Sequence, residues 1–298
     1  MKVSDIEKYL RTDSTHTYDH SAFKFVVLDD CTFSINDQIV FLLGERDAAL
    51  LDWPKYDINY VIDATGVYLT TSKAQAHNVD YVIMCAPPKD ANITPQFVVN
   101  GNHEKYAGEA IVSNASCTTN CIVPVLRALL DNYDLKTSSF TTIHAATASQ
   151  NVIDTNRFDE RTCRSVLGNI IPHKTGASKS VAKVLPDMKG KITGTSLRVP
   201  VQNVSIVDLN VQLSRTPSDS RAGPITLNEI YDTFETASSK YLSWAQGKNL
   251  ETPNAAAGSR SAKPKSEHSE VPVIQVENRS LVSCDFNTSL CPSIVDGT

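Results

Sequence analysis

The chain has 298 residues, 41 % of them hydrophobic and 20 % charged, a balance that suits a globular protein of about two domains. Its 28 basic and 33 acidic residues leave a net charge of −5, which argues against nucleic-acid or membrane partners held by bulk charge. No apolar run approaches the roughly 18 residues of a membrane span, the Met1–Leu10 start is charged throughout, and 7 cysteines do not make a disulfide framework, so the expected compartment is the cytoplasm.

In chain order, Ser4 and Glu7 read as a capping box that opens a short helix. Residues 22–29 and 39–43 read as short strands. Tyr60–Ala64 reads as a strand buried on both faces, stopped by Thr65-Gly66. A helical stretch near Thr71–Val79 separates it from a second apolar strand, Tyr81–Ala86. Strand, helix, strand with unbroken apolar runs predicts a parallel, covered sheet. Ile111–Ser113 is a third short strand. The polar cluster Asn114–Asn120 then leads into a helix, whose Ile122, Leu126, Leu129, Leu130 and Tyr133 form one apolar face. Pro124 is expected in its early turns, where proline is tolerated.

The second half reads differently. Val207, Leu209, Val211 and Leu213 alternate with polar residues, the period of a strand with one wet face, which favours an antiparallel sheet. Thr226 and Glu229 form a second capping box before the stripe Leu227, Ile230, Tyr231 and Phe234. Residues 246–271 are rich in Ser, Lys, Pro and Glu and read as a flexible surface insertion. The organisation expected is 1–115 as one domain and 116–298 as a second.

Chemistry concentrates in Ser113–Cys121 (SNASCTTNC). Cys117 sits between a strand end and a helix start, where free N–H groups and the helix dipole favour the thiolate. From position alone the more ordinary reading is a small buried residue. His144 ends a predicted strand 27 residues later. A cysteine and a histidine brought together by the fold make an activated nucleophile and its base. Cys121 lies four residues after Cys117, but no second His/Cys pair has ligand spacing, so no metal is expected.

Ser113–Cys121 is the active-site signature of phosphorylating glyceraldehyde-3-phosphate dehydrogenases, and the chain resembles that family over most of its length. The likeness runs through Asp13–His16, Glu45–Asp47, Ala64–Val67, Asn102–Tyr106, Thr142–His144, Asn169–Pro172, Thr175–Ala177, Arg198–Pro200 and Ser283–Asn287. The resemblance implies an α/β fold: an incomplete doubly wound, Rossmann-like parallel sheet in an NAD-binding-type domain, then an α+β catalytic domain with an antiparallel sheet. By the same likeness Cys117 attacks the aldehyde of a triose phosphate and His144 moves protons. The hydride goes to NAD, and inorganic phosphate releases the acyl group from the cysteine. Thr147 and Arg198 would hold the substrate phosphate. Ser116, Thr118, Thr175 and Gly176 would line the site of the attacking phosphate, with Arg161 and Arg164 near the anions. Arg46, Thr65, Gly66 and Ala86 match segments that touch NAD, and the family assembles as a homotetramer. Arg198 also has a plain reading as a partner for a carboxylate, and Thr147 and Thr175 as helix or turn caps.

The family's first strand, glycine turn and helix precede the point where the likeness begins, and its last helix follows the point where it stops. Accordingly, no two of the 12 glycines stand at Gly-x-Gly spacing. That favours an alternative reading as a pseudoenzyme that binds or scaffolds, its cofactor site lost or weakened. A cofactor-free thiol function at Cys117 is a third reading. Residues 22–43 are expected either to repair the interrupted sheet or to leave it in need of a partner.

Overall fold

The structure, a computed structural model, describes residues 2–15, 23–156, 159–245, 274–277, 282–283 and 293–296. His16, the segment 246–271 and Cys284–Asn287 lie outside them. No helix among the described residues is long and apolar enough to cross a membrane.

The first helix, α1 (Val3–Arg11), starts earlier than the Ser4 box implies. Val3 is buried, which draws the helix back to it, and Asp5 accepts the Lys2 backbone N–H at 3.0 Å. Glu7 is engaged elsewhere, by Arg11 one turn on. Strands β1 (Phe25–Val27), β2 (Thr32–Ile35) and β3 (Gln38–Phe41) form their own antiparallel sheet. The β2–β3 hairpin closes on Asn36-Asp37 with φ of 48° and 66°, the left-handed pair that a two-residue turn requires. These strands do not join the parallel sheet, so the expected repair of that sheet by residues 22–43 is not made.

The parallel sheet consists of β4 (Tyr60–Asp63), β5 (Tyr81–Met84) and β6 (Ile111–Ser113), in that order. Helix α2 (Thr71–Ala74) and a 3-10 turn Gln75–His77 connect β4 to β5. β4 is not buried on both faces as its run of apolar residues implies. Val61 and Asp63 point inward, while Tyr60 and Ile62 are 54 % and 68 % exposed. An apolar run fits a doubly covered strand, but covering the second face is a property of neighbours, not of the run.

Helix α3 (Cys117–Asn132) follows β6 after three residues and is the centre of the second half. One side buries Ile122, Val123 and Leu126 in a cluster with Leu135, Phe140, Val181 and Val184, the other buries Ala128 and Leu129 against Phe234 and Ala237 of α5 (Leu227–Ala245). Pro124 lies about two turns inside α3 rather than at its opening, where it forgoes one backbone hydrogen bond. The cap of α5 is the expected one: Glu229 accepts from Thr226 N at 2.8 Å and Thr226 Oγ1 accepts from Glu229 N. Arg215 clasps both carboxylate oxygens of Glu229, which holds that carboxyl down to about 2.

The large sheet runs β10–β7–β9–β8, made from β7 (Asp134–His144), β8 (Ile171–His173), β9 (Ile192–Arg198) and β10 (Ile206–Ser214). It is mixed, not antiparallel throughout as expected. β10 alternates wet and dry faces and pairs antiparallel with β7, but β7 and β9 run parallel. The crossover through α4 (Ala177–Val184), which packs on both α3 and β9, makes that parallel pairing possible. Gly194 is required at its position: a Cβ there would lie 2.1 Å from the buried Phe140 ring. Short strands β11 (Ile274–Glu277) and β12 (Ser293–Asp296) pair parallel and pack against α5 and α3.

Candidate active site

Cys117 is the first residue of α3, and Ser116 is its N-cap. The Ser116 hydroxyl accepts from Thr119 N at 3.1 Å, satisfying one of the free N–H groups of the first turn. The approach is strained: Ala115 is buried and holds φ of 56°, a conformation that L side chains rarely adopt. Ser113 secures it, accepting from Ala115 N at 3.0 Å while donating to the Ala86 carbonyl at 2.7 Å. The turn that presents Cys117 is thereby bound to the ends of β5 and β6.

His144 is the last residue of β7, and its Nε2 stands 3.4 Å from the Cys117 sulfur. That contact is the foremost reason the Cys117 thiol lies below its ordinary range. Burial works against it, while the Thr118 backbone N–H and hydroxyl add to it. Cys117 nevertheless remains exposed to solvent, so a reactant reaches it. A lowered thiol that is accessible is the condition for a reactive cysteine.

Arg198 ends β9 exactly opposite His144 in the parallel register. Its Nη1 contacts His144 Nδ1 and donates to the Ala145 carbonyl at 3.0 Å. It pairs with no carboxylate among the described residues, unlike the plain reading of it. Burial draws its guanidinium below the ordinary range, and attraction to Cys117 opposes that. Thr147 lies on the exposed loop just after β7, with its N–H and hydroxyl both held by Gln150 Oε1. Gln150 is buried and carries no sequence signal beyond its polarity.

Thr175 and Gly176 open α4. Gly176 is the N-cap, and the Thr175 hydroxyl accepts from Ala177 N at 3.1 Å. Thr118 is buried in the first turn of α3. Arg164 is bound to Asp154 at 3.0 Å, and Arg161 donates to the Pro172 carbonyl at 3.3 Å.

Of the residues matched to a cofactor, Thr65, Gly66 and Ala86 lie at the carboxyl ends of the parallel strands. Asp63, Met84 and Ser113 are in register across β4, β5 and β6. Thr65-Gly66, Ala86 and Ser116-Cys117 follow those three ends in turn. This is the edge at which open parallel sheets take ligands. Gly66 has φ of +69°, and Asp63 holds the turn by accepting from Thr65 N and Oγ1 at 2.8 and 2.6 Å. Asp63 is itself buried beside His77, whose Nε2 is 3.4 Å away. That pair, distant in sequence, was not visible in the residue pattern. Arg46 is exposed. Its carbonyl accepts from the Tyr68 hydroxyl at 3.5 Å, which ties its segment to the chain just after Gly66.

Residues 116–298 match the sequence model of the glyceraldehyde 3-phosphate dehydrogenase C-terminal domain. Glyceraldehyde-3-phosphate dehydrogenase of Serratia marcescens is 40 % identical over 232 residues, which are 76 % of this chain and 74 % of that one. The protein of the same name from Shimwellia blattae is 36 % identical over 291 residues, 96 % of this chain and 85 % of that one. The one from Bacteroides fragilis is 44 % identical over 194 residues, 64 % of this chain and 58 % of that one. A cysteine at the start of a helix, 3.4 Å from a strand-end histidine, sits inside a likeness that spans nearly the whole chain: the chain belongs to the glyceraldehyde-3-phosphate dehydrogenase family.

Proposed function

We propose that this chain oxidises the aldehyde of a triose phosphate, with NAD as acceptor, and passes the acyl group to inorganic phosphate. The observation that carries the reading is the Cys117–His144 pair, 3.4 Å apart, at the N-terminus of α3 with Arg198 beside it. His144 takes the Cys117 thiol proton, the sulfur attacks the aldehyde carbon, and that proton passes to the aldehyde oxygen to give a thiohemiacetal. His144 takes the hydroxyl proton as the carbon is oxidised to the thioester. NAD, when bound, supplies the hydride acceptor. Inorganic phosphate then attacks the thioester carbon, releases the sulfur as thiolate and leaves as the acyl phosphate. Splitting the reaction at the thioester retains the oxidation energy for that last bond.

Two anions must be held. Arg198 and Thr147 suit the substrate phosphate, since Arg198 has no carboxylate partner among the described residues and Thr147 is exposed. Ser116, Thr118, Thr175 and Gly176 suit the attacking phosphate, on the N-terminal turns of α3 and α4. The strand-end edge fits NAD in part. Thr65, Gly66 and Ala86 offer an open turn and backbone groups, with no atom within 4 Å of a Cβ built at Gly66. With no Gly-x-Gly pair in the sequence, no residue is assigned to the pyrophosphate. The exposed face of β4 is compatible with a homotetramer or another partner.

The test joins binding to turnover. Calorimetric titration of the folded chain with NAD is expected to saturate, and NADH formation from glyceraldehyde 3-phosphate is expected to require both phosphate and Cys117. Cys117→Ser should lower turnover by about 10⁴-fold or more. Absence of NAD binding at millimolar concentration would move the reading to a scaffold of the same family. Turnover that survives Cys117→Ser removes the nucleophile assignment.

A further inference from the structure

The β9–β10 connection, residues 199–205, grips the strand end that carries His144, and the inference drawn from it rests on the reading of Cys117 and His144 just given. Both peptide units around Ala145 are held on their N–H and on their carbonyl. The His144 carbonyl accepts from Val199 N at 3.0 Å, and Ala145 N donates to the Ser205 hydroxyl at 3.1 Å. Ala146 N donates to the Val201 carbonyl at 2.9 Å, and the Ala145 carbonyl accepts from Arg198 Nη1 at 3.0 Å. Ala145 is buried, so an N–H there that loses its partner stays unmet. The Ala145 oxygen also stands 2.8 Å from His144 Nδ1, which ties the imidazole to the same backbone. Ser205 comes just before β10, which pairs regularly with β7 from Ile206 opposite Ile143. Its neighbour Val204 holds φ of 62°, a left-handed conformation that a β-branched residue adopts only under constraint. The strain thus falls at the residue that turns Ser205 toward Ala145.

We propose that Ser205 and Val204 are positioning residues: the Ser205 hydroxyl fixes the Ala145 backbone, and through it the His144 imidazole against Cys117, while the strained backbone of Val204 aims that hydroxyl. Both act through residue 145 and not on the reacting atoms. What they protect is one side-chain contact of 3.4 Å. A misplacement of about 1 Å at a reacting centre costs on the order of 10²-fold in rate. Glycine at 204 takes the same φ without strain, so Val204→Gly relieves the fold. The freed backbone then no longer holds the hydroxyl on Ala145, and the site loses what the fold gains. A residue kept for packing alone behaves otherwise, because its loss weakens the fold and leaves the chemistry of a distant sulfur unchanged.

The test follows alkylation of Cys117 by iodoacetamide against pH in the full chain, beside thermal unfolding and turnover. The wild-type midpoint is expected below that of an ordinary thiol, because His144 favours the thiolate. Ser205→Ala should raise the midpoint by about half a pH unit or more. It should also lower kcat by roughly 10-fold with KM for the aldehyde little changed. Ser205→Thr, which keeps the hydroxyl, should restore both. Val204→Gly should raise the alkylation midpoint too, while its unfolding temperature holds level or rises. An unchanged midpoint in folded Ser205→Ala, or no recovery in Ser205→Thr, overturns the role of the hydroxyl. If Ser205→Ala does not fold, the alkylation midpoint of Val204→Gly decides. An unchanged midpoint or a lower unfolding temperature in Val204→Gly overturns the role of the strain. Failure of the underlying reading looks different: His144→Asn would then leave the alkylation midpoint where the wild type has it.

Discussion

The large mixed sheet and the parallel sheet use similar apolar strands to opposite ends. In the large sheet, Leu135 and Phe140 of β7 and Ile192 of β9 close onto α3 and α4, and the cluster around them holds thirteen buried residues. In the parallel sheet, the buried cluster is Ala74, Val82 and Met84, while Tyr60 and Ile62 look outward. The first arrangement clamps the strand ends that carry His144 and Arg198. The second leaves an edge, at the carboxyl ends of β4 and β5, on which turns such as Thr65-Gly66 are held by polar contacts. Rigidity is spent where two side chains must meet within hydrogen-bond distance, and openness where a ligand must enter.

That contrast is open to breaking. Leu126 is fully buried between α3 and the large sheet, so Leu126→Ala should destabilise the fold by about 2–5 kcal/mol in denaturant unfolding. A smaller loss would mean that this core is loosely packed. A pH effect should come from the loop between β5 and β6. Burial holds His103 below its ordinary range, and the charge of Glu104 opposes this only in part. A histidine depressed in the folded state is protonated more readily in the unfolded one. Its contribution is therefore complete above the unfolded value of about 6.5 and lost as pH falls through the lower, folded value. The unfolding midpoint should drop between about pH 7 and pH 5, and His103→Gln should flatten that part of the profile; an unchanged slope removes the assignment. The smallest effect belongs to the open face. Ile62→Thr should shift stability by no more than about 0.5 kcal/mol in the monomer. A loss above 1 kcal/mol that grows with protein concentration would show that a second copy covers β4.

Much of the site was legible because it is local. The Ser113–Cys121 run carries its own helix cap, strand end and nucleophile within nine residues, and Ile111–Ser113 and the Thr226–Glu229 box appear as the pattern implies. The misreadings have a common cause. The Ser4 box lost to burial of Val3, and the antiparallel expectation for the large sheet failed because alternation along β10 reports its own wet face, not the direction in which β7 and β9 pair. Nor does an apolar run such as Tyr60–Ala64 state whether both its faces are covered.

The sequence by itself determined which residues could do chemistry here, because motif, cap and periodicity act over a few residues and are written in their order. Tertiary structure decided which of them meet. The parallel register of β7 and β9 sets Arg198 against His144 across 54 residues, α3 carries Cys117 to the same point, and Asp63 finds His77 in the interior. Those contacts depend on strand direction and on the packing of α3 and α4 over the sheet, which are properties of the whole chain closing on itself and not of any segment.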